Sequence, residues 1–318
     1  MDIVHTPVLL KETLNLLSPL GEPYQHDCFM VDSTTGEGGH SQAFLEQFPG
    51  VHILGIDADS NIQQRAKERL ADFGERMKFH LGWFNDFFAT FSDAQRAPDL
   101  ILFDLGISVY HYERSGRGFA FKYDEPLDMR LNKNAQKSAR TLIHELREEE
   151  LANIIYNYGD ERYSRRIARA IVQYRQKSRL VSTRELADII YNAVPAPYRH
   201  GGIHPATKTF QAIRIAVNDE LDRLKSVLKD AFDVLKPGGK MGVITFHSIE
   251  DRIVKNFFRD LGKKCICPPE QASCTCGGEP RALVLTRKPI GPTDEEVKAN
   301  SPSRSAKLRG VKKLGDKA

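Results

Sequence analysis

The sequence predicts an α/β fold: a doubly wound parallel sheet with a helical subdomain inserted into it. Three observations point there. Short, nearly continuous apolar runs alternate with helical spacing in the first third of the chain. A long helical stretch without strand signals follows. The strand–helix alternation then resumes to the end.

The elements follow in order. "CFMVDST" from Cys28 is a buried strand running into a glycine turn, and "SQAFLEQF" is a short helix behind it. "VHILGIDAD" is a second strand ending in acids. "SNIQQRAKERLADF" is a helix with Ile62, Ala66 and Leu70 on one side and Ser60 as its N-cap. "MKFHLGWF" reads as a third strand and "PDLILFDLGIS" as a fourth, again ending in an acid. From about Val109 to Leu131 the text is loop-like, rich in Gly, Arg and aromatics. From about Ser138 to Tyr198 it is helical with charged faces. After "HPATKTFQAIR" one long amphipathic helix is expected to about Leu235, then a fifth strand in "KPGGKMGVITFHS", a helix in "IEDRIVKNFFRDL" and a late strand in "RALVLTRK". The tail "SPSRSAKLRGVKKLGDKA" reads as polar, basic and partly mobile. The expected organisation is a discontinuous core, 1–108 and 206–318, with an inserted loop and helical substrate-recognition subdomain at 109–205.

At 318 residues, 41% hydrophobic and 28% charged, the chain can bury a sizeable core. Its net charge of +4 is compatible with a polyanionic partner without demanding one. The first residues carry no signal-peptide pattern, and no apolar run is long enough to span a bilayer, so the cytoplasm is expected and a membrane is not.

The chemistry starts at "VDSTTGEGGHS", Val31 to Ser41. A dinucleotide turn wants G-x-G-x-x-G; Gly36 and Gly38 fit, but the third position is Ser41. Such a turn can also be a plain tight connection. Asp32, Asp57 and Asp104, however, end three strands, where open α/β sheets bind ligands. Clustered carboxylates repel a pyrophosphate and suit a nucleoside bearing a cationic amino-acid group. The turn therefore reads as a seat for S-adenosylmethionine. A nicotinamide-dependent oxidoreductase survives on the glycine turn alone, and a non-enzymatic RNA-binding or ribosome-assembly protein on the basic helical stretch.

Nearly the whole chain resembles the bacterial ribosomal RNA small subunit methyltransferase H (MraW) family. The resemblance runs through "HTPVLLKE", "TTGEGGHS", "LGIDAD", "LFDLGIS", "RGFAF", "PLDMRL", "HPATKTFQAIRIAVNDEL", "ITFHSIEDRIVK" and "SRSAKLR". It implies a Rossmann-like S-adenosylmethionine-dependent methyltransferase sheet. The implied activity is methylation of the exocyclic 4-amino group of a cytidine in the decoding region of small-subunit ribosomal RNA. It also implies cofactor contacts from Gly38, Gly39, His40, Asp57, Phe84 and Asp104. Where the family usually has Ser-Pro-Gln after "DLG-S", this chain reads Val109-Tyr110-His111, so either His111 takes over any cofactor contact of that glutamine or the contact is lost.

The residues fit this chemistry. Asp57 suits ribose hydroxyls; Phe84 suits an adenine ring, or simple core packing. An aromatic amine is a poor nucleophile, and acceptors that draw its hydrogens localise its lone pair. Asp104 is the catalytic candidate for that role, or serves the cofactor only. Arg117, Phe119 and Phe121 can hold phosphate and stack on an extruded base, or pack a glycine-rich loop into a core. His247 can touch substrate, while Glu250 and Asp251 complement the start of the next helix. Cys265, Cys267, Cys274 and Cys276 form two C-x-C pairs, a thiolate set that suits a structural zinc, or a loop of idle thiols. Dispersed basic segments (Arg114–Arg117, Arg162–Arg169, Arg304–Lys313) favour an assembled or nearly assembled small subunit as partner over naked RNA. Oligomeric state is left open, a homodimer included.

Overall fold

The computed structural model describes residues 6–19, 27–92, 94–265, 267, 270, 271, 273, 275 and 278–315. They form two compact units: the chain up to Gly106 together with the chain from Arg223 onward, and Ile107–Asp222.

The first unit is built on one sheet of seven strands among the described residues: β1 Cys28–Asp32, β2 Val51–Asp57, β3 Met77–Leu81, β4 Leu100–Asp104, β5 Lys240–Thr245, β6 Ala282–Val284 and β7 Lys307–Lys313. Their order is β3-β2-β1-β4-β5-β7-β6. The first five are parallel; β7 is antiparallel to both β5 and β6. Its helices are α1 Leu10–Leu16, α2 Gly39–Gln47, α3 Ser60–Arg69 and α4 Phe84–Ala89. The inner strands are buried on both faces, which explains their continuous apolar text. One core holds Ile101, Phe103, Val243 and Phe258, and the other Met30, Leu102, Ile244 and Phe44.

The second unit is helical: α5 Val109–Glu113, α6 Ala139–Glu145, α7 Glu148–Gly159, α8 Ser164–Arg175, α9 Thr183–Ala193, α10 Ala196–Arg199 and α11 Ala206–Asn218. α12 Glu220–Val234, α13 Ser248–Leu261 and α14 Asp294–Ala299 complete the chain. The unit has its own core of Leu151, Ile155, Ile167, Ile171, Leu186 and Ile190. Phe210, Ile213 and Val217 of α11 belong to that core, so α11 lies with the helical unit rather than with the sheet.

Several expectations are revised. The long helix expected to Leu235 is two helices, because Asp219 adopts φ 51°, ψ 33° and ends α11. Asp is among the few residues that visit this left-handed region without large strain. The N-cap of α3 is Asp59, whose carboxylate accepts from the Asn61 N–H; Ser60 is already inside the helix. β3 stops at Leu81, and Phe84 opens α4. The tail is not a mobile appendage: Leu308 to Val311 are buried in β7, the strand that joins β5 to β6. Among the described residues no helix is long and apolar enough to cross a membrane.

Candidate active site

The strand order reverses direction at β1 and β4, so the turns leaving these strands diverge and open a crevice at their carboxyl ends. Asp32, Asp57 and Asp104 are the last residues of β1, β2 and β4, three adjacent strands. Parallel pairing places them at the same edge.

The turn from β1 to α2 is held by these acids. Gly36 and Gly38 take positive φ, 55° and 80°, conformations that favour glycine. The Gly36 N–H donates to Asp57 Oδ2 at 2.9 Å, and the Asp59 N–H to Asp57 Oδ1 at 2.8 Å. Asp32 is fully buried; the Ser41 hydroxyl donates to it at 2.6 Å and the Thr34 N–H at 3.3 Å. Burial pushes the Asp32 pKa up, with the Ser41 bond working against that shift. The Asp104 N–H donates to Thr34 Oγ1 at 2.6 Å. His40 is buried, with Nε2 3.1 Å from the Val8 carbonyl and Nδ1 3.4 Å from Asp104 Oδ2. Asp104 Oδ1 is enclosed and has no hydrogen-bond partner among the described residues. Ser33 Oγ and Glu37 Oε2, beside the same turn, are enclosed without one among the described residues as well.

These orphaned polar atoms are what a ligand rich in donors would satisfy. A carboxylate edge with a glycine turn fits a nucleoside with a cationic group, and the residues present therefore suit S-adenosylmethionine. Gly38, Gly39, His40, Asp57 and Asp104 are together at this edge. A Cβ on Gly39 would lie 2.4 Å from Pro7, and one on Gly38 2.7 Å from Leu70, so both glycines first serve packing of the turn. Phe84 is half-buried, edge-on to Phe103 with ring centroids 5.6 Å apart.

His247 is the N-cap of α13. Its Nδ1 accepts from the Glu250 N–H at 3.4 Å, and its Nε2 lies 2.9 Å from Glu250 Oε1. Glu250 Oε2 in turn accepts from the His247 N–H at 3.4 Å, closing a capping box, and from the Phe246 N–H at 3.0 Å. Asp251 instead pairs with Arg309 of β7 at 2.7 Å.

The other singled-out residues lie in the helical unit. His111 sits on α5, buried, edge-on to Phe119 at 5.2 Å. Arg117 is buried and donates to the carbonyls of Arg130 and Leu131 at 2.8 and 3.1 Å. Phe119 is in the helical core, and Phe121 packs on His204 and Phe210. Each of these residues is engaged within its own unit. Cys274 and Cys276 lie outside the described residues, so the four-thiolate set is not described as a whole. Among the described residues no group of His, Cys, Asp or Glu forms a metal cluster. Sequence reasoning passed over Val8 and Thr34; Val8 acts through its carbonyl, which leaves no mark in residue type.

The Asp57 geometry carries a prediction. Asp57→Ala removes the acceptor for two turn N–H groups as well as any ribose contact. S-Adenosylmethionine should bind about 10- to 100-fold more weakly, the scale of charge-assisted hydrogen bonds. Asp57→Asn should not restore binding, because its amide would face a backbone donor. Calorimetry on folded variants checks both; full affinity in Asp57→Asn would contradict the arrangement.

A parallel sheet reversed at β1 and β4, finished by an antiparallel β7 and edged with acids around a glycine turn, is the framework of an S-adenosylmethionine-dependent methyltransferase. The chain belongs to the MraW methylase family, which it matches over residues 2–314. It is similar to the "Ribosomal RNA small subunit methyltransferase H" of Treponema denticola, 56% identical over 314 residues, covering 99% of this chain and 98% of that one. The proteins of the same name from Carboxydothermus hydrogenoformans and Treponema pallidum are 44% and 40% identical. They cover 99% and 98% of this chain and 99% and 93% of their own. Membership of a methylase family leaves the nicotinamide and non-enzymatic alternatives without support.

Proposed function

We propose that the chain methylates the exocyclic 4-amino group of a cytidine in the decoding region of small-subunit ribosomal RNA, acting in the cytoplasm on an assembled or nearly assembled subunit. The relatives' shared name supports the RNA class. The observation that carries the chemistry is Asp104 Oδ1, an enclosed acceptor at the switch point of the sheet with no partner among the described residues.

S-Adenosylmethionine, held at this edge by Asp57 and the glycine turn, would supply an electrophilic methyl group and leave as the neutral thioether; the amine that accepts the methyl group must release a proton. Asp104 Oδ1 accepts the amine hydrogen bond, draws electron density onto the nitrogen and takes that proton. Asp57 and the glycine turn would orient the nucleoside part of the cofactor. Amine attack needs no covalent cysteine, whereas carbon methylation of a pyrimidine ring uses a thiolate. Among the described cysteines, Cys28 starts β1 at the opposite edge, and burial pushes its thiol up to about 12. Cys265 and Cys267 follow α13 in the sequence.

RNA contact is best supported on α8. Ile167, Ala168 and Ile171 bury one face, leaving Arg165, Arg166 and Arg169 exposed on the other. Arg162 lies over the rings of Tyr163 and Tyr198, at 4.8 and 5.1 Å. The tail drops out as a docking arm: Arg309 is paired in the sheet, and Lys313 donates to the carbonyls of Phe232 and Asp233.

The test incubates the protein and labelled S-adenosylmethionine with intact small subunits and with protein-free small-subunit RNA at matched salt. Nucleoside mass spectrometry should find N4-methylcytidine, formed faster on subunits. A different methylated nucleoside would overturn the chemistry. Equal or faster reaction on naked RNA would overturn the docking reading alone.

A further inference from the structure

His40 has a side-chain role distinct from lining a cofactor seat. It is the second residue of α2, and its ring is buried between two acceptors. The Val8 carbonyl can only accept, so Nε2, 3.1 Å away, carries a hydrogen. Nδ1 faces Asp104 Oδ2 at 3.4 Å. Burial alone would lower the His40 pKa. The Asp104 hydrogen bond and charge, the Asp32 charge and the Val8 carbonyl outweigh it, and the pKa lies above its ordinary value. With an acceptor facing each ring nitrogen, both nitrogens are placed to donate, and the ring bridges the segment before α1 and the end of β4.

Asp104 is thereby fixed twice. Its N–H is held by Thr34 Oγ1, and Oδ2 is taken by His40, while Oδ1 stays enclosed and without a partner among the described residues. We propose that His40 is a positioning residue for Asp104: its ring, anchored on the Val8 carbonyl, occupies Oδ2 and so leaves Oδ1 as the oxygen that meets the amine. This rests on Asp104 being the acceptor in the function proposed above. It separates two jobs in one carboxylate, one oxygen fixing orientation and the other doing chemistry.

The test has two arms. In protein labelled with nitrogen-15 histidine and free of cofactor, the His40 resonances are assigned by their loss in His40→Gln. Near neutral pH both nitrogens should be protonated, and Asp104→Asn should convert Nδ1 to an unprotonated nitrogen. A neutral His40 ring, unchanged by Asp104→Asn, overturns the proposal whatever the substrate proves to be. The second arm is single-turnover methylation of small subunits. His40→Phe should slow it about 10- to 100-fold, with S-adenosylmethionine affinity changed less than about 3-fold. In the Asp104→Asn background the same substitution should cost less than about 2-fold, because its partner is already altered. Fully additive losses overturn the proposal. His40→Gln, which keeps one donor, should fall between wild type and His40→Phe, and it carries the same cycle if His40→Phe does not fold. Should no subunit methylation occur even in wild type, the assigned substrate fails, and the nitrogen resonances still decide on His40.

Discussion

Truncation after Asn300 should abolish the fold rather than trim a docking arm. The lost segment contains β7, which pairs with β5 from Lys240 to Thr245 and with β6 from Ala282 to Val284. Leu308 and Val311 are fully buried, one in each core. Their removal forfeits about 3–6 kcal/mol of apolar burial. Arg309 takes with it the main partner of Asp251, a pair whose side chains are 6% and 12% exposed. Breaking such a pair from one side costs about 3–5 kcal/mol. The β5 ladder is also left with an open edge. These losses are comparable with the whole stability of an ordinary domain, about 5–15 kcal/mol. The truncated chain should show no cooperative thermal transition and no S-adenosylmethionine binding, whereas truncation after Gly315 should retain both. A cooperative transition and near-native cofactor affinity in the shorter chain would contradict the placement of β7.

The contrast between β4 and β7 shows what the sequence reveals. "LILFD" is apolar along its length because both of its faces are covered, and burial alone marks it as a strand. "KLRGVKK" carries four cations and a glycine, and its two most informative residues are disguised. Arg309 is tolerable inside the sheet only because Asp251 reaches it from α13, a pairing across 58 residues that composition does not display. Gly310 leaves room for Leu16, whose methyl a side chain there would meet at 2.7 Å. The helix break at Asp219 had a local signal, the Asn218-Asp219 pair, which periodicity overrode. At the active-site edge the strand-end acids were legible from position. Which of their oxygens are already used was not, since the donors are backbone N–H groups of Gly36 and Asp59 and the side chains of Ser41 and His40. Arg117 looked like a phosphate ligand because a buried arginine bound to two carbonyls has the same letter as an exposed one.

Asp104→Asn should lower single-turnover methylation roughly 100- to 1,000-fold, the scale for losing a preorganised electrostatic contact to the reacting centre. Its effect on cofactor affinity should be much smaller. The substitution keeps shape. Its amide nitrogen can replace Oδ2 and donate to His40 Nδ1, leaving a neutral imidazole whose Nε2 still donates to the Val8 carbonyl. The carbonyl oxygen then occupies the place of Oδ1 and can still accept a hydrogen bond from the amine. What disappears is the negative charge and the capacity to take a proton. As the methyl group arrives, the target nitrogen becomes positive, and an acceptor without charge stabilises that state far less in an enclosed site than a carboxylate does. The ground state, with a neutral amine, loses little. The two quantities therefore separate: rate constant by single turnover at saturating cofactor and subunit, affinity by calorimetry. Equal losses in both would make Asp104 a cofactor ligand and nothing more, and the proton acceptor would have to be sought elsewhere along the same edge of the sheet.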